Sequence, residues 1–175
     1  MTNSSTSTSR FMRLLRHRWL DEDDSRKAVP PELVERLMRR VAASENRHSG
    51  EIRICVEASL PSSYIWRQSS PRERALAMFG KLRIWDTEHN NGVLIYLLLA
   101  EHAIEIVADR GLNARVSAAE WAALVQRMGG AFREDRFEDG LTQALGEVSA
   151  LLVQHFPLAP GEVNPNELPD QPVLG

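Results

Sequence analysis

The strongest constraint on the fold is a pair of apolar runs separated by a short polar connection. The runs occupy residues 93–99 and 104–108, and the connection AEHA at 100–103 has the length and polarity of a hairpin turn. The first predicted strand is entered through a polar loop at 86–92, and the second leaves through DRG at 109–111. In an antiparallel pair, the start of one strand lies beside the end of its partner. We therefore expect the two polar segments to meet at one edge of a sheet.

A third strand is predicted over residues 51–58, where apolar Ile52, Ile54 and Val56 alternate with other side chains. The sequence SPRE at 70–73 is a capping box that begins a helix over 71–83. A helix that connects two strands of one sheet forms a right-handed crossover, so strands 51–58 and 93–99 should be parallel. The predicted fold class is α/β, a small mixed sheet with helices on its faces.

Three other helices are indicated by start signals or by apolar spacing. One begins at PPE in 30–32, and another begins at the capping box SAAE in 117–120 and should end at Gly129-Gly130. The third runs over about 137–155 and includes Gly140 and Gly146, each at a cost in helix propensity.

We predict one domain with two flanking segments. The domain covers 30–156, residues 1–29 form an N-terminal extension, and residues 157–175 form a Pro-rich tail that builds no core. Within the extension, residues 10–20 have the spacing of a basic amphipathic helix. Its apolar face either docks on the domain itself or makes peripheral contact with an anionic membrane surface.

Charge and composition exclude several classes of protein. A net charge of −3 without a long basic block argues against a nucleic-acid partner, and the lone Cys55 cannot form an internal disulfide. The start of the chain lacks the basic and apolar pattern of a secretory signal, and the longest apolar run, 93–100, is too short to span a bilayer. These features predict a cytoplasmic protein.

The polar edge is rich in the oxygen ligands that Ca²⁺ and Mg²⁺ prefer. The predicted cation ligands are Asp86, Asn90, Asn91 and Asp109. The loop is not an EF-hand, because Leu97 stands where the bidentate glutamate is required. Both polar segments also have simpler interpretations. Asn90 and Asn91 suit a turn. Asp109 and Arg110 suit an ion pair at the start of a helix, or a site in which the carboxylate binds a metal and the guanidinium binds a phosphate oxygen.

Other acidic and histidine side chains are divided between the two edges of the predicted sheet. Glu45, His48 and Glu51 should lie at the first edge, and Glu45 with His48 is either a metal pair or a helix end whose histidine interacts with the dipole. The opposite edge should collect Glu57, Glu101 and His102.

Several short motifs together resemble the TPM domain family, which includes thylakoid-lumen phosphatase-like and related bacterial proteins. The motifs are GEIRICVE at 50–57, the pairs Arg74-Ala75 and Met78-Phe79, NGVLIY at 91–96, IVADRG at 106–111, and MGGAFR at 128–133 followed by GL at 140–141. The resemblance covers about residues 30–156. ENRHSGE at 45–51, HFP at 155–157 and NELP at 166–169 resemble the cytosolic bacterial branch, without a signal peptide or membrane anchor.

This resemblance implies an α/β/α sandwich, acid-phosphatase activity and divalent-cation binding in part of the family, and maintenance of membrane complexes in other parts. It also implies a LemA-like membrane protein as a partner. Two functions follow. The first is a domain that binds Ca²⁺ or Mg²⁺ and has weak phosphomonoesterase activity, with Asp109 and Arg110 as its catalytic residues. The second is a non-enzymatic adaptor for a membrane-associated protein. The residues leave open whether the chain is an enzyme, since only the aspartates are evident nucleophiles.

Overall fold

The central sheet has mixed strand directions. The computed structural model describes residues 13, 14, 17, 19, 20 and 22–175. Within them the strands are β1 (Ile52–Glu57), β2 (Val93–Leu98), β3 (Ala103–Ala108) and β4 (Val173–Leu174), in the spatial order β3-β2-β1-β4.

Strand pairing confirms the predicted crossover and hairpin. β1 and β2 are parallel with Ile52 opposite Val93, and β2 and β3 are antiparallel with Val93 opposite Ala108. The hairpin connection is a 3-10 turn over Leu99–Glu101 that ends at His102, whose φ of 48° is left-handed. The starts of β1 and β2 and the end of β3 therefore share one edge of the sheet.

The four predicted helices of the domain form, and the described chain adds three short ones at 22–28, 62–66 and 110–113. In chain order they are α1 (Glu22–Ala28), α2 (Pro31–Glu45), α3 (Ser62–Trp66), α4 (Pro71–Lys81), α5 (Arg110–Asn113), α6 (Ala118–Arg133) and α7 (Phe137–His155). Both capping boxes form, Ser70 with Glu73 and Ser117 with Glu120. The predicted end of α6 at Gly129-Gly130 is wrong. The helix continues to Arg133, and Met128 and Phe132 are both fully buried, so core packing outweighs the propensity cost of the glycines.

The alternation of β1 separates two apolar layers. Ile52, Ile54 and Val56 pack with α2, α6 and α7, whereas Cys55 packs with α3, α4 and the tail. The result is an α/β/α sandwich with a larger core on the α7 side. Cys55 is fully buried, and this burial raises the pKa of its thiol to about 12, as expected of a core residue.

The Pro-rich tail takes part in the core, contrary to the prediction. Its last residues form β4, which pairs with β1 in parallel, and Gly175 donates its N–H to the carbonyl of Val56 at 2.9 Å. Leu168 is only 9% exposed. A two-residue strand carries no periodicity, so its pairing depends on the finished sheet rather than on local pattern.

The N-terminal extension docks through both polar and apolar side chains, and Leu20, Ala28 and Val29 pack in or against the larger core. Positions 13, 14 and 17 are helical, and the rest of the predicted helix before Trp19 lies outside the described residues. The imidazole of His17 is buried. Its Nδ1 accepts from the Leu60 N–H at 3.1 Å, and its Nε2 donates to the Glu101 carboxylate at 2.9 Å. Trp19, which the spacing of residues 10–20 places on the apolar face of the predicted helix, is 81% exposed. No helix in the described part of the chain is both long and apolar enough to cross a membrane.

Candidate functional site

The two polar segments of the hairpin meet at the predicted edge. The backbone N–H of Asp109 donates to the Gly92 carbonyl at 2.9 Å, and that of Gly111 donates to the Asn90 carbonyl at 2.8 Å. Arg110 Nε donates to Asn90 Oδ1 at 2.9 Å. Loop 86–92 is thus joined to the segment after β3 by backbone and side-chain hydrogen bonds, as strand direction predicts.

Close backbone approach explains the glycine in this contact. A Cβ at Gly111 would lie 2.5 Å from the Asn90 carbonyl oxygen and 2.6 Å from that of His89. Asn90 itself has a φ of 52°, a left-handed conformation that asparagine tolerates. Asn90 therefore has a turn conformation, and its side-chain oxygen accepts a hydrogen bond from Arg110.

Among the described residues, Asp109 and Asn91 each keep one buried oxygen without a partner. Asp109 is the N-cap of α5, and its Oδ1 accepts from the Arg110 N–H at 2.7 Å. Asn91 is fully buried and its Nδ2 donates to Ser49 Oγ at 3.3 Å. Within the described residues, neither Asp109 Oδ2 nor Asn91 Oδ1 has a hydrogen-bond partner. An orphaned buried acceptor is costly, so these two oxygens are the part of the edge best suited to a cation.

The Asp86 carboxylate is engaged by Arg83. It accepts from Arg83 Nη2 at 2.6 Å, and the Asp86 side chain is 49% exposed. In the part of the chain that the structure describes, no three His, Cys, Asp or Glu side chains are arranged to hold a metal ion. The structure therefore brings Asn90, Asn91, Asp109 and Arg110 together, whereas the Asp86 carboxylate is committed to Arg83.

His48 is structural. Its ring is fully buried, Nδ1 donates to the Gly50 carbonyl at 3.0 Å, and Nε2 accepts from Ser44 Oγ at 2.7 Å. Burial lowers the pKa of His48 to about 4, so the ring is neutral near pH 7. Because both ring nitrogens are engaged, the metal-pair interpretation of Glu45 with His48 does not hold.

A polar group at this edge is buried under the tail, and the sequence predicts that Glu45 and Glu51 lie at this edge but not that Arg53 joins them. The Ile52 N–H donates to Glu45 Oε1 at 3.2 Å, and the Leu168 N–H donates to Glu51 Oε2 at 3.0 Å. The other carboxylate oxygen of each residue, and Nη1 of Arg53, are buried without a partner among the described residues. Alternation along β1 places Glu51 and Arg53 on one face, but only the folded tail reveals that they are covered.

The opposite edge carries a partnered network. Tyr96 donates its hydroxyl to Glu57 Oε2 at 2.7 Å, and Arg74 donates to both oxygens of the same carboxylate, from Nε at 2.8 Å. The Arg74 guanidinium also lies 5.2 Å from the centre of the Tyr64 ring. This edge contains Glu57, Glu101 and His102 as predicted, and the complete pairing of Glu57 points to a structural role.

Comparisons with known proteins agree with this architecture. A mixed sheet covered by helices on both faces, with a polar loop beside the end of its hairpin, defines a small α/β/α-sandwich domain. The family model of the TPM domain matches residues 23–151, and the chain belongs to that family. The fold is similar to the NMR structure of the BA42 protein from the psychrophilic bacterium Bizionia argentinensis. The TM-score is 0.72 and the identity 25%, over 84% of this chain and 95% of that one. No curated protein matches the sequence.

Proposed function

We propose that this TPM domain binds one divalent cation, Ca²⁺ or Mg²⁺, where loop 86–92 meets Asp109, and that the bound cation supports slow hydrolysis of phosphomonoesters. The observation that carries the proposal is the Asp109 carboxylate, whose Oδ2 is buried and without a partner among the described residues. Asn91 Oδ1, just before β2, is also buried and without a partner among the described residues. Loop 86–92 is hydrogen-bonded to the segment that holds Asp109.

The donor set fits a hard cation. Asp109 would supply the charged ligand, and Asn91 and Asn90 would supply neutral oxygens. Asp86 joins them only if it leaves Arg83, and Arg110 reaches a phosphate oxygen only if it leaves Asn90. A cation held there would act as a Lewis acid on the phosphoryl oxygen. The protein's own contribution is to fix Asp109 through the N-cap and the Gly92 contact.

Calorimetric titration with Ca²⁺ and Mg²⁺, together with p-nitrophenyl phosphate turnover, tests the proposal. Asp109→Asn keeps the shape of the side chain and removes its charge, so we expect loss of both binding at this site and metal-dependent turnover. The matched control is Glu35→Gln, which removes one charge from an exposed position of α2. Turnover that survives Asp109→Asn or a chelator contradicts the enzymatic part, and unchanged cation binding contradicts the site.

A second candidate function is an adaptor for a membrane-associated protein, of which a LemA-like protein is the example that the family suggests. Trp19 and Trp66 are 81% and 79% exposed. Arg13 donates to the Ser69 carbonyl at 2.6 Å and His17 contacts Leu60, so the extension runs past both ends of α3, which carries Trp66. Exposed tryptophans suit protein and membrane interfaces. Binding of the full chain to a LemA-like protein in a pull-down, and to liposomes in flotation, should weaken with Trp19→Ala and with Trp66→Ala. The control Trp85→Ala, at the other edge of the sheet, should leave binding unchanged.

A further inference from the structure

We infer that the buried group formed by Glu45, Glu51 and Arg53, here called the tail-covered cluster, is a second cation site that takes one divalent cation in exchange for a proton. It lies near the start of β1, on the side closed by residues 164–174, and its carboxylates are not those of the loop 86–92 site. The inference therefore does not depend on the proposed function.

The geometry leaves two buried carboxylate oxygens without a partner among the described residues. Glu45 is 4% exposed and Glu51 is fully buried. Each carboxylate uses one oxygen for a backbone N–H, from Ile52 and Leu168 respectively, and keeps the other oxygen without a partner in the described chain. A carboxylate with one anchored and one free oxygen is fixed in position before any ligand arrives, which suits it to coordinate a cation.

The charges do not balance without an added positive charge. When both carboxylates are ionised, Arg53 supplies a single opposing charge, and Asp170 at the rim acts electrostatically on both Glu45 and Arg53. Uncompensated charge in a buried position is costly, so the cluster must take up a proton or a cation. A divalent cation that contacts both free oxygens would satisfy them together.

Protonation is the competing state, and it makes the proposal measurable. Burial, and then the charge of Glu51, raise the pKa of Glu45 to about 8, and burial also raises the pKa of Glu51. At pH 7 the cluster without a cation therefore holds a proton. Since a cation needs the ionised form, its binding must release that proton.

Contacts of the tail hold it over the cluster. Asn164 Nδ2 donates to the His48 carbonyl at 3.2 Å, and the Glu88 N–H donates to the exposed Glu167 carboxylate at 3.1 Å. These contacts and the Leu168 bond hold the tail over the cluster. A bound cation would strengthen this closure, because it fixes Glu51 in the position that accepts the Leu168 N–H.

The test is calorimetric titration of the full chain with CaCl₂ and MgCl₂ at pH 7, in two buffers that differ in ionisation enthalpy. We expect a binding event that releases close to one proton per cation. That event should persist in Asp109→Asn and disappear in Glu51→Gln and in Glu45→Gln. The loop 86–92 site should release far fewer protons, because its ligands are one carboxylate and two amides. The titration therefore distinguishes the absence of binding at one site from the absence of binding at the other.

Two results overturn the inference. One is cation binding by the wild-type chain without proton release, a measurement that does not depend on the folding of any variant. The other is an unchanged proton-releasing event in a folded Glu51→Gln chain. Either result would mean that the tail-covered cluster holds a proton only.

Discussion

The backbone N–H of Leu168 donates to Glu51 Oε2 at 3.0 Å, across 117 residues of sequence. The bond joins the tail to the residue that precedes β1, and Leu168 itself is buried against the α4 side of the sheet. Because Glu51 is fully buried, its carboxylate would otherwise leave two oxygens unsatisfied. The tail is therefore part of the polar edge of the domain as well as of its sheet.

Stability should fall with rising pH above 6.5 because of Glu45. Its pKa is about 8 in the folded chain and 4.5 as an ordinary carboxyl, so its contribution to stability is full below pH 4.5 and is lost as pH rises through 8. The pKa of His48 is about 4 in the folded chain and 6.5 as an ordinary imidazole, so its contribution has the opposite sign: it is full above pH 6.5 and is lost as pH falls through 4. Between pH 4.5 and 6.5 the two residues change the free energy of unfolding in opposite directions. Above pH 6.5 only the fall caused by Glu45 remains.

The measurement is urea unfolding in the presence of a chelator at pH 6.5 and pH 8. We expect the wild-type free energy of unfolding to fall by about 2 kcal/mol over this window, and Glu45→Gln to lose most of that fall. The exposed control Glu35→Gln should keep the wild-type slope. Equal slopes in Glu45→Gln and wild type would show that Glu45 is ionised in the fold without penalty.

Two glycines of one helix should respond to alanine with opposite signs. A Cβ at Gly140 would lie 2.5 to 2.8 Å from atoms of the Phe132 ring, whereas a Cβ at Gly146 meets nothing within 4 Å. We expect Gly140→Ala to destabilise the protein by about 1–3 kcal/mol through overpacking, and Gly146→Ala to stabilise it by about 0.5–1 kcal/mol. Chemical denaturation measures both. Destabilisation by both variants would contradict the packing argument.

The parts of the fold that the sequence predicts are those with local signals. Apolar alternation and capping boxes define β1, β2, β3 and α4, and strand direction brings Asn90 beside Arg110. Three features have no such signal. β4 is two residues long, Gly140 is required by a ring on another helix, and the tail-covered cluster depends on a bond between Glu51 and Leu168. Each depends on contacts between distant segments, which no single periodicity encodes.

The Glu57 network should lose more stability when Arg74 is removed than when the Tyr96 hydroxyl is removed. Tyr96→Phe deletes one hydrogen bond to a carboxylate that Arg74 still pairs, at a cost of about 1–2 kcal/mol. Arg74→Met keeps much of the stem and leaves Glu57, 7% exposed, without its counter-charge, at a cost of about 3 kcal/mol or more. Thermal unfolding of both variants decides the order. In Arg74→Met combined with Glu57→Gln, the removal of the unpaired charge should recover part of the loss.

Gly111→Ala should disrupt the proposed cation site without changing any of its ligands. The added Cβ would lie 2.5 Å from the Asn90 carbonyl oxygen and 2.6 Å from that of His89, and a backbone oxygen cannot rotate away as a flexible side chain can. The loop must therefore move away from the segment that holds Asp109, which breaks the Gly111 N–H bond to Asn90. We expect a loss of about 2 kcal/mol in stability. We also expect weaker Ca²⁺ binding at the Asp109 site and an unchanged proton-releasing event at the tail-covered cluster. Gly130→Ala, where a Cβ meets nothing within 4 Å, is the control. If Gly111→Ala binds Ca²⁺ as the wild type does, the contact between the loop and Asp109 is not what forms the site.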